Sequence, residues 1–286
     1  MRRWILTVVV LALAACSADN GAAGSSTPAS ETAPLVIVAN APGTLGTGQQ
    51  RMVLGLVSRD SSSLASPDLA VTFHLSDAEG TGVGEVDGVF QWTIPDVRGV
   101  YTIRHEFADP GVYGIQAFPS DGEPSVKVNF TISDDPVVPE VGDPAIAAPS
   151  PTGDQAPLET ITTDPNPDPS FYEVSLDDAI KSGRPTVVVF ATPAFCQSQT
   201  CGPMLDQVKA AAPEHPDTTF IHVEVYEDFQ GATSAEELTP APAAVAWGLP
   251  SEPWLYFIDS NGIVTARYEG TVSPEELTEG FGTLDA

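Results

Sequence analysis

Cys196 and Cys201 stand five residues apart in the run Pro185-Thr-Val-Val-Val-Phe-Ala-Thr-Pro-Ala-Phe-Cys196-Gln-Ser-Gln-Thr-Cys201-Gly-Pro-Met. An apolar, β-branched stretch leads into a turn that carries both thiols, and an amphipathic segment follows. A thiol at a helix N-terminus feels the positive end of the backbone dipoles, which favours thiolate and so nucleophilic attack. These residue types, so placed, suit dithiol–disulfide chemistry. Side chains five residues apart on a helix point about 140° apart, so Cys196 must lie in the preceding loop if the two are bonded.

The elements that must position this turn read as one α/β unit over residues 171–286. Ser175 caps a short helix that stops at Gly183. Thr186–Phe190 is a strand without polar alternation, as expected when both faces are covered. Gly202 to Ala212 is a helix with Met204, Leu205 and Val208 on one face. Thr219–Val225 is a second strand. Trp254–Ile258 and Ile263–Tyr268 form a hairpin across Asp259-Ser-Asn261-Gly262. Ser273 and Pro274 open a final helix.

This βαβ…ββα order, with cysteines at the strand-to-helix turn, resembles the thioredoxin fold over roughly residues 171–286. The segment Trp247-Gly248-Leu249-Pro-Ser-Glu252-Pro253-Trp is similar to the family's run into its cis-proline. The resemblance implies that Cys196 and Cys201 cycle between dithiol and disulfide, without a cofactor. It also implies that Pro253 sits opposite the cysteines and positions an extended substrate strand. The chain departs from the family in having Cys-x4-Cys for Cys-x-x-Cys, and Met204 where a second cysteine would follow Cys201-Gly-Pro. Phe195 replaces the usual Trp, and Val187–Phe190 carries no carboxylate to move protons for the resolving thiol. Either cysteine can thus be the nucleophile: helix-terminal exposure favours Cys201, the longer exposed turn favours Cys196. Glu252, beside Pro253, is expected to place negative charge near the sulfurs and raise a thiol pKa.

Two other readings stand beside exchange. The bond can be structural, closing too short a loop to constrain much unfolded-chain entropy. The domain would then be a redox-inactive binding module, with the N-terminal part recognising partners. Alternatively, copper-delivery proteins of the same superfamily use two cysteines and a distant histidine, and soft thiolates suit Cu(I). His215 and His222 are the local candidates, though neither occupies a recognisable motif, and no residue is assigned to a metal. Strand-to-helix phosphate loops, His-Glu-x-x-His and nucleophile elbows are missing from the sequence.

At the other end, Arg2-Arg3, the apolar run Trp4 to Ala15 and the small residues before Cys16 read as a signal peptide, too short to span a bilayer. Leu13-Ala14-Ala15-Cys16 resembles a bacterial lipobox, which implies lipidation of Cys16 and an anchor on the extracytoplasmic face of the cell membrane. A disulfide persists in that compartment, and the two remaining cysteines are expected to pair. Protein thiols or disulfides of the cell envelope are then the natural partners. The formal charge of −28 repels nucleic acid and anionic headgroups, so neither DNA nor RNA is expected as a partner.

Residues 17–33 are small and polar and read as a flexible tether. Residues 34–133 carry seven short apolar runs divided by turn signals, which predicts an all-β sandwich. Asp109-Pro-Gly111-Val-Tyr113 resembles the tyrosine corner of immunoglobulin-like domains, with Ile115 where antibody domains place a cysteine. His74 and His105 fall within strand patterns and read as structural. Residues 134–170 hold nine prolines and eight carboxylates without a basic or aromatic residue. That composition predicts an extended spacer, at ~3 Å per residue reaching on the order of 100 Å. The expected architecture is therefore multidomain: signal peptide 1–16, tether, immunoglobulin-like sandwich, acidic linker and α/β thioredoxin-like domain.

Overall fold

The structure, a computed structural model, describes residues 32–284. The expected signal peptide, Cys16 and almost all of the tether lie outside the described residues.

Eight strands form the N-terminal half: β1 (Leu35–Val38), β2 (Gly48–Val57), β3 (Val71–Ser76), β4 (Gly82–Asp87), β5 (Val89–Ile94), β6 (Arg98–Phe107), β7 (Gly111–Pro119) and β8 (Val128–Ile132). They make two four-stranded sheets, ordered β1-β2-β6-β5 and β4-β3-β7-β8. The result is a β-sandwich. Along β3, Val71, Phe73 and Leu75 point inward while Thr72, His74 and Ser76 do not, the alternation required of a sheet with one covered face. Met52, Leu54, Tyr101, Ile103 and Ile115 fill the space between the sheets. The Tyr113 hydroxyl donates to the Asp109 carbonyl (2.8 Å), as the corner resemblance implies. Strand β4 is the one that the sequence hides, because its small residues and glycines read as a turn. Gly84 is needed there: a Cβ would run into the His105 ring.

The C-terminal half contains α1 (Leu158–Ile161), α2 (Leu176–Lys181), β9 (Thr186–Ala191), α3 (Cys201–Ala211), β10 (Thr219–Glu224), β11 (Tyr226–Glu227) and β12 (Thr239–Pro240). Then come α4 (Pro242–Ala246), β13 (Trp254–Ile258), β14 (Val264–Glu269) and α5 (Pro274–Gly282). Its main sheet has the order β10-β9-β13-β14. β10 runs parallel to β9, whereas β13 and β14 are antiparallel to their neighbours. One face, with Val187, Val189, Phe220 and Phe257, is covered by α3 and α5. The other, with Val188, Phe190, Ile221 and Tyr256, is covered by α2 and α4. Burial on both faces explains why β9 shows no polar alternation.

The halves meet along a polar seam. Arg51 of β2 forks onto the Glu276 carboxylate of α5 through Nε (2.6 Å) and Nη2 (2.8 Å). Gln91 of β5 donates to the same carboxylate (2.8 Å). Burial alone would raise the Glu276 pKa; the Arg51 guanidinium overrides it and holds the group below the usual carboxylate range. Glu276 also closes the capping box with Ser273, so one side chain starts the helix and fastens the sandwich to it.

Residues 134–170 correct the spacer expectation. Val138 and Ala148 are buried in the core beneath α2 and α4. Gly142 and Ala145 donate backbone hydrogen bonds to Val264 and Gly262 (2.8 Å each). Trp247 donates its indole N–H to the Ile146 carbonyl (2.9 Å), and Glu140 pairs with Arg267. The composition rule is sound for the segment alone, which lacks the apolar content for a core of its own. It does not forbid a proline-extended chain from lining another element's core, where its few N–H groups find acceptors.

Candidate functional site

β9 ends at Ala191, and the chain turns through residues 192–200 before α3 begins at Cys201. Cys196 and Cys201 are joined in a disulfide, with Cα atoms 6.0 Å apart. As the helical angle requires, Cys196 lies in the loop. Gln199 adopts φ 61°, left-handed backbone that is unusual for a side-chain-bearing residue, and this lets the four intervening residues close back onto the helix. Cys196 is half-buried and Cys201 fully buried. This corrects the preference for Cys201 as the exposed sulfur. The Cys201 backbone N–H donates to the Cys196 Sγ (3.2 Å), and the Ser198 hydroxyl lies 3.2 Å from the same sulfur. The outer sulfur thus takes up one of the orphan N–H groups of the helix N-terminus.

The register places other groups at this end of the sheet. Trp254 of β13 faces Phe190 of β9, so Pro253 enters the sheet where the cysteine turn leaves it. The Glu252–Pro253 bond is cis and Pro253 is buried. Burial raises the Glu252 carboxyl pKa.

The structure adds a carboxyl that sequence reasoning passed over. Glu224 closes β10 opposite Ala191, at 6% exposure. It lies on the sheet face of Val187 and Val189, the face that Cys201 of α3 packs against, because Phe220, two strand repeats earlier, is in that cluster. Its Oε2 accepts from the N–H (2.8 Å) and hydroxyl (2.7 Å) of Thr163. The Thr163 oxygen in turn accepts the Ala194 N–H of the cysteine turn (3.2 Å). Its Oε1 is buried without a hydrogen-bond partner. Burial, incompletely offset by the neighbouring Thr192 and Thr163 groups, pushes the pKa up to about 7. The only signal in the sequence was a carboxylate ending a buried strand that also carries His222.

His222, two residues before it, is committed to the protein. Its Nδ1 takes the Tyr172 hydroxyl (2.6 Å) and its Nε2 faces the Ala191 carbonyl (3.2 Å). Because a carbonyl only accepts, Nε2 carries the proton. Burial holds the ring's pKa down to about 4. His215 stacks flat on Phe281 (3.6 Å), beyond the C-terminal end of α3 and so at the opposite end of the helix from the cysteine turn. The two copper candidates are thus not brought to the sulfurs. Among the described residues no three His, Cys, Asp or Glu side chains cluster as a metal site, and no helix is long and apolar enough to cross a membrane.

No family model matches the chain, and no curated protein matches it. Solved structures are similar to parts of it. A Lin-41 filamin domain covers 35% of this chain and 92% of its own at 13% identity and a TM-score of 0.24. Superoxide reductase (neelaredoxin) from Archaeoglobus fulgidus covers 37% and 90% at 9% identity and a TM-score of 0.21. A hypothetical protein from Pyrococcus horikoshii covers 35% and 86% at 8% identity and a TM-score of 0.22. Likeness at this level carries nothing about activity.

Proposed function

We propose that the C-terminal half is a thioredoxin-like domain that exchanges disulfides with protein thiols at the cell envelope, held there by a lipid on Cys16. The observation that carries this is the half-exposed Cys196 bonded to a buried Cys201 at a helix N-terminus, with Pro253 entering the same end of the sheet. The sheet order β10-β9-β13-β14, with one parallel pair and helices on both faces, supports the fold reading.

In this reaction a client thiolate attacks the Cys196 Sγ. A client–Cys196 bond forms, the Cys196–Cys201 bond breaks, and its electron pair leaves on the Cys201 sulfur, which takes up a proton. A second client thiolate then attacks the client sulfur and releases Cys196 as thiolate, facing the Cys201 N–H. The client has lost two electrons and the pair has gained them; the reverse sequence reduces a client disulfide. Glu224 is the buried carboxyl beside this turn whose pKa lets it hold or release a proton at neutral pH.

The reduction potential of the pair, read by alkylation and mass spectrometry in graded redox buffers, tests the proposal. A value between about −120 and −270 mV supports exchange. One below about −300 mV makes the bond structural and the domain a binding module. The anchor has its own test. Cys16→Ser should move the protein from the membrane to the soluble fraction, and an unchanged distribution would remove the lipid from the proposal.

A further inference from the structure

We infer that the sandwich holds the Pro253 loop in place through the carboxylate of Glu269, making Glu269 a positioning residue for the exchange reaction proposed above. Glu269 ends β14 opposite Trp254, the residue after Pro253, and is 6% exposed. Its Oε1 accepts from the Ala41 backbone N–H (2.8 Å) and from the Ser251 hydroxyl (2.8 Å). Its Oε2 accepts from the Asn40 side-chain amide (3.1 Å) and lies 3.0 Å from the Thr44 hydroxyl. Asn40, Ala41 and Thr44 belong to the sandwich, in the loop between β1 and β2. Ser251 belongs to the loop that ends at Pro253.

The contact runs onward from Ser251. Its oxygen also accepts the Trp254 indole N–H (3.2 Å), and the Gly270 N–H donates to the Pro253 carbonyl (2.9 Å). The Pro253 loop is therefore gripped on both sides by residues that Glu269 touches or adjoins. A buried carboxylate tolerates loss of water only while its hydrogen-bond donors are present. With the sandwich undocked, Glu269 would lose every donor named here except Ser251, and would draw in water at that end of the sheet. Docking is itself well fastened: of the chain's eleven lysines and arginines, Arg51, Arg104 and Arg267 all lie on this seam. The sandwich is thus part of the working site through the loop opposite the cysteines.

The experiment compares the full chain with Thr44→Val, which removes the hydroxyl shared between the Ala41 carbonyl (2.8 Å) and Glu269 (3.0 Å) on the sandwich side and keeps its shape, and with Glu269→Gln. Amide hydrogen exchange over residues 250–254 and exchange kinetics toward a cysteine-containing peptide and toward a small monothiol are measured together. Thr44→Val should speed exchange at 250–254 by about threefold or more and raise the peptide KM by a similar factor, with the small-thiol rate unchanged. Glu269→Gln should do both more strongly. Unchanged amide exchange and unchanged peptide KM in Thr44→Val would overturn the coupling, even if Glu269→Gln does not fold. An unmutated chain that reacts with neither thiol would overturn the exchange reading instead, and the amide exchange would still decide whether the sandwich orders the loop.

Discussion

Glu224 and His222 sit on one face of β10, and burial moves them in opposite senses: the carboxyl to about 7 and the imidazole to about 4. Between pH 4.5 and 7 the unfolded chain has lost the Glu224 proton and the folded chain keeps it, so stability falls as pH rises. Between pH 4 and 6.5 the unfolded chain protonates His222 and the folded chain does not, so stability falls as pH drops. Each group contributes a slope of about 1.4 kcal/mol per pH unit, and over the shared window the two cancel. Glu224→Gln should therefore unmask the histidine, and urea unfolding should show stability lost on acidification from pH 6.5. His222→Gln should unmask the opposite slope. If neither variant alters the pH profile, the burial assigned to the pair is wrong. The cysteines also differ at this scale. In Cys201→Ser, Cys196 should alkylate quickly and trap a mixed disulfide; in Cys196→Ser, the buried Cys201 should alkylate about tenfold more slowly or worse.

At the scale of elements, the register brings three ends together: the close of β9, the close of β10 and the entry to β13. Helix α5 packs on this sheet by a close approach, since a Cβ on Gly280 would collide with the Phe257 ring. Gly280→Ala is expected to cost about 1–3 kcal/mol, measured by thermal or urea unfolding, as overpacking usually does. Most of these elements were legible. The apolar β9, the hairpin across Asp259–Gly262 and the Ser273 cap all fall within a residue or two of where the sequence put them. β4, β11 and β12 were not, because β4 alternates glycine with single valines and the other two are only two residues long, so none carries a period-two apolar signal. Ser175 precedes α2 as expected, yet its hydroxyl bonds Asp177 and the Ser150 N–H in place of the helix's own amides.

At the scale of the whole molecule, the acidic segment and the arginine seam make two halves into one body. Arg51 and Glu276 are 7% and 10% exposed in their side chains, so removing one partner leaves a buried charge. Arg51→Ala is expected to cost about 3–5 kcal/mol and to split one calorimetric transition into two. A single transition with little loss would show that the seam is held by something else. Limited proteolysis gives an independent check: residues 138–148 should resist cleavage in the native chain and become cleavable in Arg51→Ala.

Local order determined much of this protein before any contact was known. The cysteine spacing required a loop for Cys196, alternation separated sheet faces, and capping residues marked helix starts, because each of these reads a segment against its own neighbours. Tertiary structure alone decided which sulfur is exposed, why the Glu224 pKa is raised, and where residues 134–170 run. It also decided that Glu269 meets the Ala41 amide 228 residues away. Periodicity records which side of a segment avoids water. What a buried charge will meet there depends on chain arriving from elsewhere, and nothing in the neighbouring residues encodes it.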